Sequence, residues 1–143
     1  MIKIDVEFED IDFAQVQRER LDKYMERATN EGFKYSQFLV AEDTGDLRRS
    51  AFPPRPIAKR SVDGWEYGYV KTYAEYIEFG TEPFIPPIQP LIDWARRHGK
   101  DEGFAYAVRN KIMNEGIEEQ PYLRPSLDEV RKYIRTHNVE DAI

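Results

Sequence analysis

The chain contains no cysteine. That excludes a disulfide framework, a thiolate nucleophile and a cysteine-based zinc site. It has two histidines, His98 and His137, too few for a metal site built on several imidazoles. No apolar run approaches the roughly 20 residues that a membrane-spanning helix requires. The opening residues Met1–Asp5 lack the apolar centre of a signal peptide, so the expectation is an intracellular product without membrane partners. No glycine-rich phosphate loop is present, and Ser36, Ser50, Ser61 and Ser126 occupy no nucleophile-elbow context. Strong basicity is missing as well. The formal charge is −6, which argues against tight wrapping of duplex DNA as the main task.

What remains is a polar chain with many aromatics. Charged residues make up 34% of its 143 positions, against about 25% in average domains. The aromatic share of 13% argues against disorder. This length predicts a single domain over 1–143 with one modest core.

Ile2, Ile4, Val6 and Phe8 alternate with Lys3, Asp5 and Glu7, the pattern of a half-buried strand. Phe13, Val16, Leu21, Tyr24 and Ala28 recur at helical spacing and predict a long helix over about 13–29, interrupted by Asn30-Glu31-Gly32. The stretch 33–40 fits helix and strand equally. Asp43–Asp46 reads as a turn leading into one helical turn at Leu47–Ser50. Pro53, Pro54 and Pro56 demand extended backbone. Asp63-Gly64 suits a type I′ turn, which predicts a hairpin over about 57–71 with strands Ile57–Val62 and Trp65–Lys71. Tyr73–Phe79 has helical spacing that groups Tyr73, Tyr76 and Ile77, with Gly80 as its C-cap. A proline-rich extended segment follows over about 82–90. Three short helices complete the chain, over about 91–97, 104–114 and 126–137. The class expected is α+β: a small antiparallel sheet with this hairpin, packed against the long N-terminal helix and several shorter C-terminal helices.

Candidate chemistry is sparse. Glu75 and Glu78 can share a helix face, and Asp63 and Glu66 can flank a turn. With Lys59 or Lys71 such carboxylates could serve a metal-dependent nuclease, but ordinary solvated surface acids are the favoured explanation. His98, beside Arg96 and Arg97 at a helix end, reads as a solvated histidine favoured by the helix dipole, with a general base as the other reading. Trp65, Tyr67, Tyr69, Tyr73, Tyr76 and Phe79 suit core packing, with base stacking as the other use. The clearest charge feature is polarity along the chain. Arg48, Arg49, Arg55, Lys59 and Arg60 fall in a stretch with no acid, whereas the first twelve residues hold five acids, among them Asp5, Glu7, Glu9 and Asp10, and one lysine. A basic stretch and an acidic edge of this kind could pair across copies of the chain.

Three segments carry a resemblance. Asp43–Ser50 reads DTGDLRRS, Tyr73–Thr81 reads YAEYIEFGT, and Gln120–Val130 reads QPYLRPSLDEV. In this order and spacing the chain resembles the neck, or tail-completion, proteins that join head to tail in lambda-like tailed viruses. The motif positions are Asp43, Thr44, Gly45 and Leu47; Tyr73, Ala74, Glu78, Phe79, Gly80 and Thr81; and Pro121, Leu123, Arg124 and Pro125. Tyr122 stands where relatives often carry Phe, and Ser126 where they often carry Ala. The segment Pro86–Gly99 is longer than in the smallest relatives. The resemblance implies a non-enzymatic virion protein without cofactor or metal, which assembles as a sixfold ring in the neck. Its implied partners are further copies of itself, other neck proteins (an adaptor or head-closure protein, a tail terminator, a tail tube) and double-stranded DNA that passes without tight binding. Before assembly the implied location is the host cytoplasm. A small phage-encoded nuclease and a DNA-binding accessory protein are the competing expectations.

Overall fold

Alternation of apolar and charged side chains over β1 (Ile2–Phe8) gives one face to the core and one to water. The computed structural model describes residues 1–8, 18–40, 43–57 and 63–141. The fold is α+β. By internal contacts it divides into two compact units, Met1–Ala74 with Pro121–Ile143, and Glu75–Gln120.

In the first unit, a three-stranded antiparallel sheet has the order β1-β3-β2, with β2 at Ala51–Pro56 and β3 at Asp63–Tyr69. The register sets Ile2 opposite Tyr69, Ile4 opposite Tyr67 and Val6 opposite Trp65. These residues form the inner face. Lys3, Asp5 and Glu7 share the outer face with Gly68, Glu66 and Gly64. The hairpin therefore joins β2 to β3, not the predicted strand Ile57–Val62 to Trp65–Lys71. Asp63 and Gly64 are strand residues paired with Phe8 and Glu7, so the turn is not at Asp63-Gly64. A third strand on the far side of β3 outweighs the local turn preference of that dipeptide. The prolines of β2 are tolerated because it is an edge strand, with a register shift between Phe52 and Arg55. Residues 58–62 lie outside the described residues.

Helix α1 (Arg18–Leu39) is continuous through Asn30-Glu31-Gly32 and resolves 33–39 as helix. The predicted start at residues 13–17 lies outside the described residues. Leu21, Met25 and Ala28 are fully buried, and Leu21 and Met25 cluster with Trp65. Gly32 is a contact residue rather than a break. A Cβ there would lie 2.4 Å from the Tyr67 hydroxyl and 2.5 Å from Val130 Cγ2. The absence of a side chain lets β3 and α6 (Arg124–Thr136) approach the same turn of α1. The buried hydroxyls of Thr29 and Ser36 donate to the Met25 and Phe33 carbonyls, each at 2.8 Å. The single turn α2 (Asp46–Arg49) is entered through Gly45 at φ 82°, as the tight bend expected there requires.

α3 (Ala74–Phe79) leads into the second unit. Its buried positions are Ala74 and Glu78, while Tyr73 and Tyr76 are exposed; the grouping of Tyr73, Tyr76 and Ile77 as an apolar face is corrected. Gly80 closes the helix at φ 71°, its N–H donating to the Tyr76 carbonyl at 2.8 Å. Thr81 then grips Ile117 twice. Its N–H donates to the Ile117 carbonyl at 2.9 Å, and its Oγ1 accepts the Ile117 N–H at 3.0 Å. The extended proline segment ends sooner than expected, because α4 (Ile88–Arg97) takes Pro90 into its first turn, where a missing N–H costs no helical bond. α5 (Glu102–Glu115) is capped by Asp101, whose carboxylate accepts the Phe104 N–H at 2.9 Å. Ile92, Ala95 and Ala105 form the small core of this helix pair.

Candidate functional site

Leu47, Ala74 and Leu123 of the motif positions are buried in the first unit, around Tyr69 and Tyr122. Tyr69 ends β3 with its hydroxyl 3.0 Å from Ser36 Oγ and 2.7 Å from Gln37 Nε2, which donates to it. The Tyr122 ring stands edge-on to Tyr69, with centroids 4.9 Å apart and planes at 88°. Its hydroxyl donates to the Ala74 carbonyl at 3.0 Å. One turn on, Ser126 Oγ lies 2.7 Å from the Tyr67 hydroxyl and donates to the Leu123 carbonyl at 2.6 Å. Burial pushes the Tyr67 phenol up to about 12, partly offset by the Ser126 bond. Segments 73–81 and 120–130 are thus tied together through Ala74 and Tyr122. Leu47 of segment 43–50 is buried as well. Thr44 Oγ1 accepts the Asp46 N–H at 3.4 Å, a long bond that supports the bend at Gly45. Leu123 is buried, and Pro125 lies in the first turn of α6. Tyr73 and Phe79 project into solvent, whereas Glu78 is fully buried.

Several of the charged candidates have partners within the chain. Arg49 pairs with Asp46 at 2.6 Å on its own helical turn. That guanidinium, foremost among the causes, holds the Asp46 carboxyl below its usual range. Arg55 donates through Nε to Glu66 at 2.8 Å and lies 4.1 Å over the Phe52 ring. Lys3 reaches the other Glu66 oxygen at 2.6 Å. Asp5 lies 3.7 Å from Lys3. Arg48 is half-buried and Glu7 exposed. Lys59, Arg60, Glu9 and Asp10 fall outside the described residues. Sequence reading missed the clamp on Glu66 because its partners lie on two other strands, 63 and 11 residues away.

No protein-family model, curated protein or solved structure matches this chain.

The proposed carboxylate pairs do not form. Glu75 is exposed while Glu78 is buried, so they do not present one common face. Glu66 is taken up by Lys3 and Arg55, and Asp63 sits in β3 rather than beside a turn. Among the described residues, no group of three or more His, Asp or Glu could hold a metal ion. No described helix is long and apolar enough to cross a membrane. His98 caps α4, its Nδ1 2.8 Å from the Trp94 carbonyl and its ring stacked on Trp94 at 4.4 Å. The aromatic set divides: Trp65, Tyr67 and Tyr69 are buried, and Tyr73, Tyr76 and Phe79 are exposed.

A groove of about 300 Å³ lies between α1 and α6, lined by Glu31, Glu129, Lys132, Tyr133, Thr136 and His137. The spacing of Glu129, Lys132, Tyr133 and Thr136 places them on one helix face, a signal that the sequence contained. The Tyr133 and His137 rings stack at 4.0 Å along one wall.

The clamp makes a pH prediction. Glu66 is held below the ordinary carboxylate range, first by the Lys3 bond and then by Arg55, against the opposing effect of burial. A depressed folded value means that its stabilisation is complete above the unfolded value, about 4.3, and is lost as pH falls through the folded one. Glu66→Gln is expected to cost about 1–2 kcal/mol at pH 7 and to flatten the acid limb of a stability–pH curve. Urea titrations from pH 2 to 7 measure both. An acid limb identical to the wild type would remove Glu66 as its source.

Proposed function

We propose that this chain is a structural protein of the neck of a tailed virus, forming a closed, sixfold collar between head and tail through which DNA passes. The observation that carries the reading is the ordered trio of segments at 43–50, 73–81 and 120–130, together with the work their residues do. Gly45 and Gly80 hold left-handed turns, Thr81 ties a loop, and Tyr122 locks onto Tyr69 and Ala74. Those are folding roles, suited to a building block whose function is to present a surface.

A closed ring requires a heterologous contact, in which two different patches of each copy meet. The basic stretch from Arg48 to Arg60 and the acidic edge from Asp5 to Asp10 are such a pair. Arg49 and Arg55 also have partners within the chain, Asp46 and Glu66. The further partners in this reading are neighbouring neck proteins above and below. A negative net charge lets the duplex pass without being held.

The test is localisation. Gold-labelled antibody against the chain, imaged on intact particles by electron microscopy, is expected at the head–tail junction. Lys59→Glu with Arg60→Glu is expected to reduce the yield of joined particles while the purified chain keeps its fold. Absence from particles, combined with divalent-dependent DNA cleavage by the purified chain, would overturn the reading in favour of a nuclease.

A further inference from the structure

The two edges of the sheet are not equivalent. β2 presents Pro53, Pro54 and Pro56, which have no N–H to offer a neighbouring strand. β1 contains no proline, and among the described residues it pairs with β3 alone. Its outer edge can therefore accept a strand, and an edge of this kind is a template for association. The inner-face side chains agree. Trp65, Tyr67 and Tyr69 on β3 are buried, but Ile2, Ile4 and Val6, opposite them on β1, remain half-exposed.

The sequence of β1 specifies what fits there. When two copies of Ile2–Phe8 lie antiparallel about a two-fold axis at Ile4, Lys3 of each faces Asp5 of the other. On the opposite face Ile2 meets Val6, and Ile4 meets itself. Both charge contacts are attractive and all three apolar contacts are matched. Moving the axis to Asp5 sets two aspartates against each other at its centre, while Lys3 of each copy then faces Glu7 of the other; moving it to Lys3 sets two lysines together. A shift of one residue brings Lys3 against Ile4 and mixes the faces. Continuation of the sheet from β1 of one copy to β2 of the next is blocked by the prolines.

We propose that the unassembled protein is a two-fold dimer in which the β1 strands pair antiparallel about Ile4, joining two three-stranded sheets into one of six. This inference rests on the sheet edges and stands apart from the neck reading. If both hold, the dimer covers the acidic edge and must open before that edge can meet the basic stretch in a ring.

Sedimentation velocity of the full chain over a concentration series is expected to show a reversible monomer–dimer equilibrium. Asp5→Lys, which turns both charge contacts repulsive and leaves Glu66 a cation opposite, should raise the dissociation constant about tenfold. The lack of native cysteine allows the register to be read directly. Under mild oxidation a mixture of Lys3→Cys and Asp5→Cys should cross-link, and neither variant alone should. Ile2→Cys mixed with Val6→Cys repeats the test on the other face, should loss of Lys3 from the Glu66 clamp disturb the fold. A chain that stays monomeric at about 100 μM, or a dimer that cross-links in neither mixture, would overturn the proposal. A larger ring in place of the dimer would overturn it too, while favouring the collar.

Discussion

Tyr122→Ala is expected to remove about 3–5 kcal/mol of stability, the usual cost of deleting a large buried aromatic side chain. Tyr122 is fully buried, its ring is edge-on to Tyr69, and its hydroxyl satisfies the Ala74 carbonyl. Truncation opens a cavity beside Tyr69 and leaves that carbonyl without its partner. Set against a typical domain stability of about 5–15 kcal/mol, the loss takes a large fraction of the total. Tyr122→Phe separates the contributions, since it keeps the ring and deletes only the hydroxyl. It should cost about 1 kcal/mol. Denaturant midpoints at unchanged m-value are the measurement. Equal losses in the two variants would show that the hydrogen bond to the Ala74 carbonyl, not ring packing against Tyr69 of β3, is what Tyr122 contributes.

What the sequence revealed depended on how far apart the deciding residues lie. The β1 alternation was legible because a strand with one wet face writes its orientation into successive residues. The ends of α3, α4 and α5 were legible because Gly80, Gly99 and Gly116 adopt the left-handed backbone that favours glycine. Gly32 misled for the complementary reason. It is needed not for its backbone freedom but for the space that Tyr67 and Val130 occupy, and those residues are 35 and 98 positions away. Asp63-Gly64 misled because a local turn preference, worth little by itself, gave way to pairing with a strand at the other end of the unit. The charge pattern was legible as a pattern only. The Arg49–Asp46 pair sits three residues apart on one turn and could be read, whereas the partner of Arg55 is fixed by strand register.

Gly68→Ala is expected to be the most disruptive single methyl in the first unit. Gly68 lies in β3 opposite Lys3, on the outer face of the sheet. A Cβ there would sit 2.1 Å from the Ile2 carbonyl oxygen and 2.6 Å from Lys3 Cα. Both are backbone atoms, so no side-chain rotation relieves the clash, and β1 itself has to move. The cost should reach about 3 kcal/mol, the upper end for overpacking. It should also be localised. Amides of β1 lose hydrogen-exchange protection, while those of α1 and α6, which pack on each other through Tyr24 and Tyr133, keep theirs. Gly103→Ala is the control. Its nearest neighbour would be Asp101 Oδ1 at 3.4 Å, an ordinary contact, and alanine gains about 1 kcal/mol of helix propensity there. If Gly68→Ala unfolded α1 and α6 together with β1, the sheet edge would not be an independently opening part of the fold. If β1 opens alone, the same variant should also abolish pairing of two copies through that strand.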